Sequence, residues 1–270
     1  MHPNFALTVH QILWTLTFAA QLVLLVVLLG RDRVRRYPWF TASIALFALR
    51  LLAESLLSGR MAMVPLDETM LTLACTASVV SLLVLVEVAR RAFAGARWEA
   101  LLAGAVALAA LAGVTDWFWG PWPQWHEIAP NSLLGVLRLM QLFAQKTDTL
   151  ADLLTVGLCV FVVLLGRRYH GGWQSHAQKL VIGLSTVSAS WLIVQRSWIY
   201  VARSAHPQSQ AEYERIVSLG SKLVNANKVI YLAALLWWIY WLWQDEPGSA
   251  ATAVPDEGAG ETATGESADA

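Results

Sequence analysis

The chain alternates between long apolar stretches and short connections rich in polar residues or arginine. Seven stretches are dominated by apolar residues, at 8–29, 39–58, 69–89, 98–118, 148–166, 180–202 and 222–243. A bilayer core of about 30 Å needs about 20 such residues at about 1.5 Å of helical rise each. Lipid offers exposed backbone groups no hydrogen-bond partner, so each stretch is predicted to be helical. A closed strand barrel would alternate apolar and polar positions over segments of about ten residues, whereas these runs are continuous. The pattern predicts an all-α, polytopic integral membrane protein: a seven-transmembrane-helix bundle over 1–244 and a separate tail over 245–270.

Composition narrows this further. Of 270 residues, 57% are hydrophobic and 14% charged, against about 25% charged in soluble domains. The 19 Lys+Arg match the 19 Asp+Glu, so there is no basic excess to bind nucleic acid. Cys75 and Cys159 both sit inside apolar runs, which gives neither a disulfide framework nor a thiolate metal site. No metal or cofactor is predicted. The leader MHPNFALTVHQ has no Lys or Arg and precedes an apolar run too long for a cleaved signal. The first span is therefore read as a retained anchor. The stretch 245–270 carries seven acids and no base, with no large apolar residue after Val254. It cannot bury enough surface to offset its chain entropy and is predicted to be a disordered cytoplasmic tail.

Orientation follows the cations. Arg31, Arg33, Arg35, Arg36, Arg90, Arg91, Arg97, Arg167, Arg168 and Lys179 fall in the odd-numbered connections, against Arg60, Arg138, Lys146, Arg203 and Arg215 in the even-numbered ones. This bias predicts N-out/C-in, and the Ala, Arg and Trp usage points to a bacterial inner membrane. The tryptophans fit the same frame as interfacial belts. Trp117, Trp119, Trp122, Trp125 and Trp198 fall at the outer boundary, and Trp39, Trp98, Trp173, Trp238, Trp241 and Trp243 at the inner one.

Polar residues inside the spans are costly and usually turn inward. Span one carries His10, Trp14, Thr17 and Gln21 at helical spacing. Span two carries Arg50 and Glu54, an i,i+4 pair, and span five carries Asp148, Asp152, Thr155 and Cys159. Span six has Gln195 and Arg196, and span seven has Ser221, Asn225 and Lys228 with Lys222 and Asn227 beside them. Almost all lie in the outer halves. They predict a polar pocket there, with Arg50, Arg196 and Lys228 as charge contacts and Gln21, Gln195 and Asn225 as hydrogen-bonding ones. Glu54, Asp152 and His10 complete the ligand-binding set. One positive charge is spare among these groups, which favours a small anionic or zwitterionic ligand from the outer side. The same charges also suit interhelical pairs that fix assembly, Arg50 with Glu54 and Asp152 with Arg196 or Lys228, or an ion or proton path.

Two connections read as helical. Residues 130–146 follow Asn131 as an N-cap and form either a surface helix or an outward extension of span five, with a break expected near Thr147–Thr149. Residues 209–219 read as a lead-in to span seven. Span four, LLAGAVALAALAG, is built of small residues and suits packing or linkage. That invites a three-plus-one-plus-three comparison, echoed by VVLLGR at Val26–Arg31 and again at Val162–Arg167.

Enzymatic signatures are missing: no HExxH, GxSxG, CxxC or phosphate loop occurs. A retinal reading fails beyond the helix count and Lys228, because span three lacks a counter-ion at that level. The sequence therefore points to a non-enzymatic component that binds or senses a small ligand, with a separate cytoplasmic signalling or complex partner. A small-solute transporter and an assembly subunit of a membrane complex are the alternatives.

Overall fold

The computed structural model describes residues 8–57, 60–93, 98–119, 122, 133–165, 176–204 and 209–244. Among them are seven helices: α1 (Val9–Gly30), α2 (Pro38–Leu57), α3 (Met63–Ala92), α4 (Trp98–Phe118), α5 (Leu133–Leu165), α6 (His176–Ser204) and α7 (Gln210–Trp243). Six are long and apolar enough to cross a membrane, while α4 contributes only the shorter apolar stretch Ala103–Phe118. The chain is an all-α, multi-pass membrane protein. The acidic tail lies outside the described residues, as do 123–130 and the connection 166–175.

The helices form two rows. In one, α2 packs between α1 and α3; in the other, α6 packs between α5 and α7. The rows meet where α1 lies on α7 and α3 lies on both α5 and α6. Two aromatic pairs join α2 to α7: Phe40 with Trp238 (centroids 5.2 Å apart) and Phe47 with Tyr231 (6.5 Å). Helix α4 sits outside the rows against α5. A Cβ on Gly157 of α5 would fall 2.2 Å from Leu108 Cδ1, so the two backbones approach as the small residues of span four lead one to expect.

Each half of the chain thus makes its own row, but the VVLLGR repeat does not mark equivalent positions. Val27 and Leu28 are buried (3% and 0% exposed), whereas their counterparts Val163 and Leu164 are 43% and 70% exposed. The shared letters face opposite ways.

One element differs from expectation in its continuity, and the lead-in to span seven is found as expected. Helix α5 runs through Thr147–Thr149 unbroken, so 133–146 is the outward extension rather than a surface helix. The Thr149 hydroxyl donates to the Gln145 carbonyl (2.9 Å) and satisfies itself within the helix. Helix α7 starts at Gln210, with the Ser209 hydroxyl accepting from the Glu212 N–H as its cap. At about 1.5 Å per residue α5 and α7 are each about 50 Å long, well beyond a bilayer core.

The ends carrying Gly30, Pro38, Ala92, Leu165, His176 and Trp243 lie together, beside the arginine-rich connections; we call this the basic end and its opposite the distal end. The basic half is solidly packed. Leu24, Leu28, Phe40, Val88, Leu180, Leu235 and Trp238, from five helices, are almost wholly buried in one apolar cluster. Trp238, assigned to the belt from sequence, is 2% exposed. Its indole lies edge-on to Phe40 and fills the notch at Gly183, where a Cβ would fall 2.3 Å from Nε1. Trp39, Trp117, Trp122, Trp198 and Trp243 do keep exposed rings. At the basic rim the buried Glu87 of α3 accepts the Phe40 N–H (3.0 Å). It thereby caps the first turn of α2, where the helix dipole favours a carboxylate. Arg91 stacks on Tyr37, 4.8 Å from its centroid.

The notch gives a test of this packing. Gly183→Ala forces Trp238 out of place and is expected to cost about 1–3 kcal/mol. Gly113→Ala, which meets nothing within 4 Å, should stay within about 0.5 kcal/mol. Thermal unfolding of the two variants in the same nanodiscs compares them directly.

Candidate functional site

Above the apolar cluster the interior turns polar. Arg50, Ser78, Asp148, Asp152, Ser188, Asn227 and Lys228 lie 12 to 17 residues from the basic ends of their helices, or about 18–26 Å along the axes. This places them in one layer, in the distal half of a core of about 30 Å.

Within the layer the structure divides the residues singled out from sequence. On one side Asp148 and Asp152 occupy successive turns of α5. Ser78 of α3, itself wholly buried, donates to Asp148. Ser188 of α6 does the same for Asp152, and Arg50 of α2 acts on Asp148 as its opposite charge. Four helices therefore converge on two carboxylates. Glu54 points elsewhere: it is exposed on α2, so Arg50 is directed to α5 rather than to its i+4 neighbour. Asp152 is met by Ser188 rather than Arg196, which is exposed and stacks on Trp119 (5.4 Å).

On the other side α6 and α7 part to leave a cleft of about 760 Å³, within the range of small-molecule sites, about 300–1,000 Å³. Gln195, Asn225 and Lys228 line it together with Ser221, Trp191 and Trp198. The α7 lining continues straight into the packed interior: Val217, Ser221, Val224 and Lys228 lead by steps of three and four to Tyr231, Leu235, Trp238 and Leu242. The cleft is therefore the distal continuation of the bundle's inner seam. A second recess of about 620 Å³, lined by Val156 and Cys159 of α5 with Ser190, Ile193, Asn227 and Ile230, adjoins it and shares Val194 and Leu223. There the Ser190 hydroxyl donates to Asn227 Oδ1 (2.7 Å).

One turn below Lys228, Tyr231 accepts a hydrogen bond from Gln21 Nε2 of α1 (3.1 Å). Gln21 Oε1 and Thr17 Oγ1 are buried with no hydrogen-bond partner among the described residues. His10 falls in the first turn of α1, and its side chain lies outside the described part. At the mouth, Trp119 Nε1 donates to Gln195 Oε1 (3.0 Å). Lys146 fixes the end of α4 by donating to the carbonyls of Asp116 (2.9 Å) and Trp119 (2.7 Å), with its ammonium 4.5 Å from the Trp122 centroid.

The predicted pocket thus resolves into three places. Arg50 and Asp152 belong to the carboxylate cluster. Gln195, Asn225 and Lys228 belong to the cleft, with Gln21 beneath it, while Arg196 lies at the distal rim and Glu54 outside. The spare positive charge expected from sequence is not found in the layer. Arg196, Lys222 and Glu54 are exposed, leaving Arg50 and Lys228 opposite Asp148 and Asp152. The cleft lining taken alone carries one cation, Lys228, and no acid. Ser78, Ser188 and Tyr231 were not singled out from sequence, because a serine or tyrosine in an apolar run gives no sign of which carboxylate or amide it will meet.

Against known families, curated proteins and solved structures, the chain matches none. Function has to be read from the site itself.

The carboxylate cluster makes a stability statement. Ser78→Ala leaves Asp148 buried without its hydroxyl donor and is expected to cost about 1–2 kcal/mol. Thr72→Ala, exposed on the same helix, should change little. The shift in unfolding midpoint between these two variants measures the difference.

Proposed function

We propose that the protein is a non-enzymatic binding or sensing component of a bacterial inner membrane, oriented N-out/C-in, which takes up a small ligand from outside in the α6–α7 cleft. The observation that carries this reading is the contrast between the two halves of the bundle. The basic half is closed by the apolar cluster around Trp238, while the distal half holds a ligand-sized cleft with Lys228 in its lining. An ionisable group at that depth is costly and is by default a functional hypothesis. Asn225 and Gln195 supply amide groups on the cleft walls, and Gln21 and Thr17 hold hydrogen-bonding capacity just beneath. In this orientation the arginine-rich end and the acidic tail face the cytoplasm, where a separate partner would read the ligand state.

The two three-helix rows favour a second reading, a small-solute transporter. It needs a wet route past Trp238 to the basic end in some state of the protein. The two readings separate by substituted-cysteine labelling in right-side-out and inverted vesicles, with Cys75 and Cys159 replaced. For a sensor, a membrane-impermeant maleimide reaches Asn225→Cys from the outside only, and Leu235→Cys from neither side. Labelling of Leu235→Cys from the inside would establish transport in its place. Failure to label Asn225→Cys from outside would remove the cleft as a site.

A further inference from the structure

The basic end gathers cations from two parts of the chain. Arg31, Arg33, Arg35 and Arg36 crowd the short connection from α1 to α2. Arg90 and Arg91 in the last turn of α3 stand beside them, since Arg91 stacks on Tyr37 of that connection. Against these six arginines the same region offers two acids. Glu87 is buried and engaged with the Phe40 N–H, and Asp32 meets Arg35 at 3.8 Å with both side chains largely exposed. Positive charge is therefore in excess, and Arg31, Arg35, Arg36 and Arg90 carry it at the surface.

Helix α7 delivers its C-terminus into this group. Arg31 lies over the Trp243 ring (5.0 Å), and Arg33 Nη2 donates to the Gln244 carbonyl (3.2 Å). The chain then continues through 245–270, which holds seven acids and no base. Asp245 and Glu246 follow directly on the residue that Arg33 holds. Asp256 and Glu257 come about 12 residues later, a span of about 20 Å for a flexible chain. Such a tether presents the acids to the arginines at an effective concentration in the millimolar range. Membrane topology accounts for an excess of cations on one side, but it gives no reason for a base-free polyanion rooted among them.

We propose that residues 245–270 are the resident partner of this arginine face: the acidic segment docks on the arginines of its own chain and keeps other anions off them. The attraction is summed over several exposed ion pairs, each weak alone, and draws on the tether rather than on a fitted surface. An acidic partner or an anionic headgroup reaches the face only by displacing the segment. This docking is independent of the α6–α7 cleft.

The test uses the full chain, one copy per nanodisc of zwitterionic lipid, so that the segment is the only polyanion present. With Cys75 and Cys159 replaced, donor and acceptor dyes are attached at Gly30→Cys, where an added Cβ meets nothing within 4 Å, and at Ala268→Cys. Salt shortens the Debye length from about 10 Å at 0.1 M to about 3 Å at 1 M. A docked segment is released by that change, and the distance between the dyes grows to about 27 Å, the span of a flexible chain of about 24 residues. A free polyanion repels itself and is extended, so the same salt would shorten the distance. Lengthening is the expected result; shortening, or no change, overturns the proposal.

Two variants tie the effect to its partners. Replacing the seven acids by Asn and Gln leaves the described helices untouched and should give the released distance already at 0.1 M, with no lengthening at 1 M. Arg35→Gln combined with Arg36→Gln, both exposed, should shift the release to lower salt. An unchanged release in that variant places the segment elsewhere and overturns the proposal. A salt-dependent distance found only in discs loaded with two chains assigns the face to a second copy's segment, which overturns docking within one chain.

Discussion

The seating of Trp238 in the notch at Gly183 decides the character of the whole bundle. A full indole removed from lipid and water contributes several kcal/mol through its area, and it does so here by touching three helices at once. Its ring stands perpendicular to Phe40 of α2, its Nε1, Cε2 and Cζ2 atoms fill the notch at Gly183 of α6, and Leu235 and Leu242 of its own helix complete the apolar cluster. The absence of a side chain at residue 183 is what lets α6 and α7 close at this level. Had the ring remained in the interfacial belt, the inner seam of α7 would be open along its length.

Above that stopper the energetics change sign. Carboxylates at membrane depth are tolerated only where donors and opposite charge surround them. Asp148 and Asp152 obtain these from Ser78, Ser188 and Arg50, drawn from three other helices. Such contacts act over a short range and in definite directions, so they fix the rotation of α2, α3, α5 and α6 about their axes, which apolar packing alone leaves loose. The cluster is thus well suited to hold one side of the bundle rigid while the α6–α7 side stays open. The polar layer accordingly performs two tasks with one set of residue types.

Much of the architecture could be read from the sequence because its signals are summed over many residues. Twenty apolar positions outweigh any local irregularity, and the small residues of α4 announce close packing whatever their partner. The continuity of α5 was harder. Asp148 and the threonines beside it look like a break in an apolar run, yet each polar side chain finds an acceptor or donor without disturbing the helix, as Thr149 does with Gln145. The candidate site was half legible for a related reason. Helical spacing places Ser221, Asn225 and Lys228 on one face of α7, and the cleft follows that face. Spacing is silent on partners across helices, so it offered Arg50 only its i,i+4 neighbour Glu54. The three-dimensional arrangement selects Asp148. Trp238 shows the same limit: it stands five residues from the belt position Trp243, composition does not tell a ring in the belt from one about a turn and a half inside it, and only the glycine on α6 makes the difference.

The position of the cleft follows from unequal helix lengths. Helices α1 and α2 hold 22 and 20 residues, against 29 and 34 in α6 and α7. From the basic end the shorter pair reach about 30 Å, the thickness of the hydrocarbon, while α6 and α7 continue outward. Up to the level of Tyr231 the α7 seam is covered by Gln21 of α1 and Phe47 of α2. Nearer the tips that cover runs out, and the same seam, still in register, becomes the wall lined by Val224, Ser221 and Val217. Lys228 stands one turn past the last of these contacts. Lys228 lies about 22 Å from the basic end, still within the length of α1 and α2, and the cleft opens from its level toward the longer ends of α6 and α7.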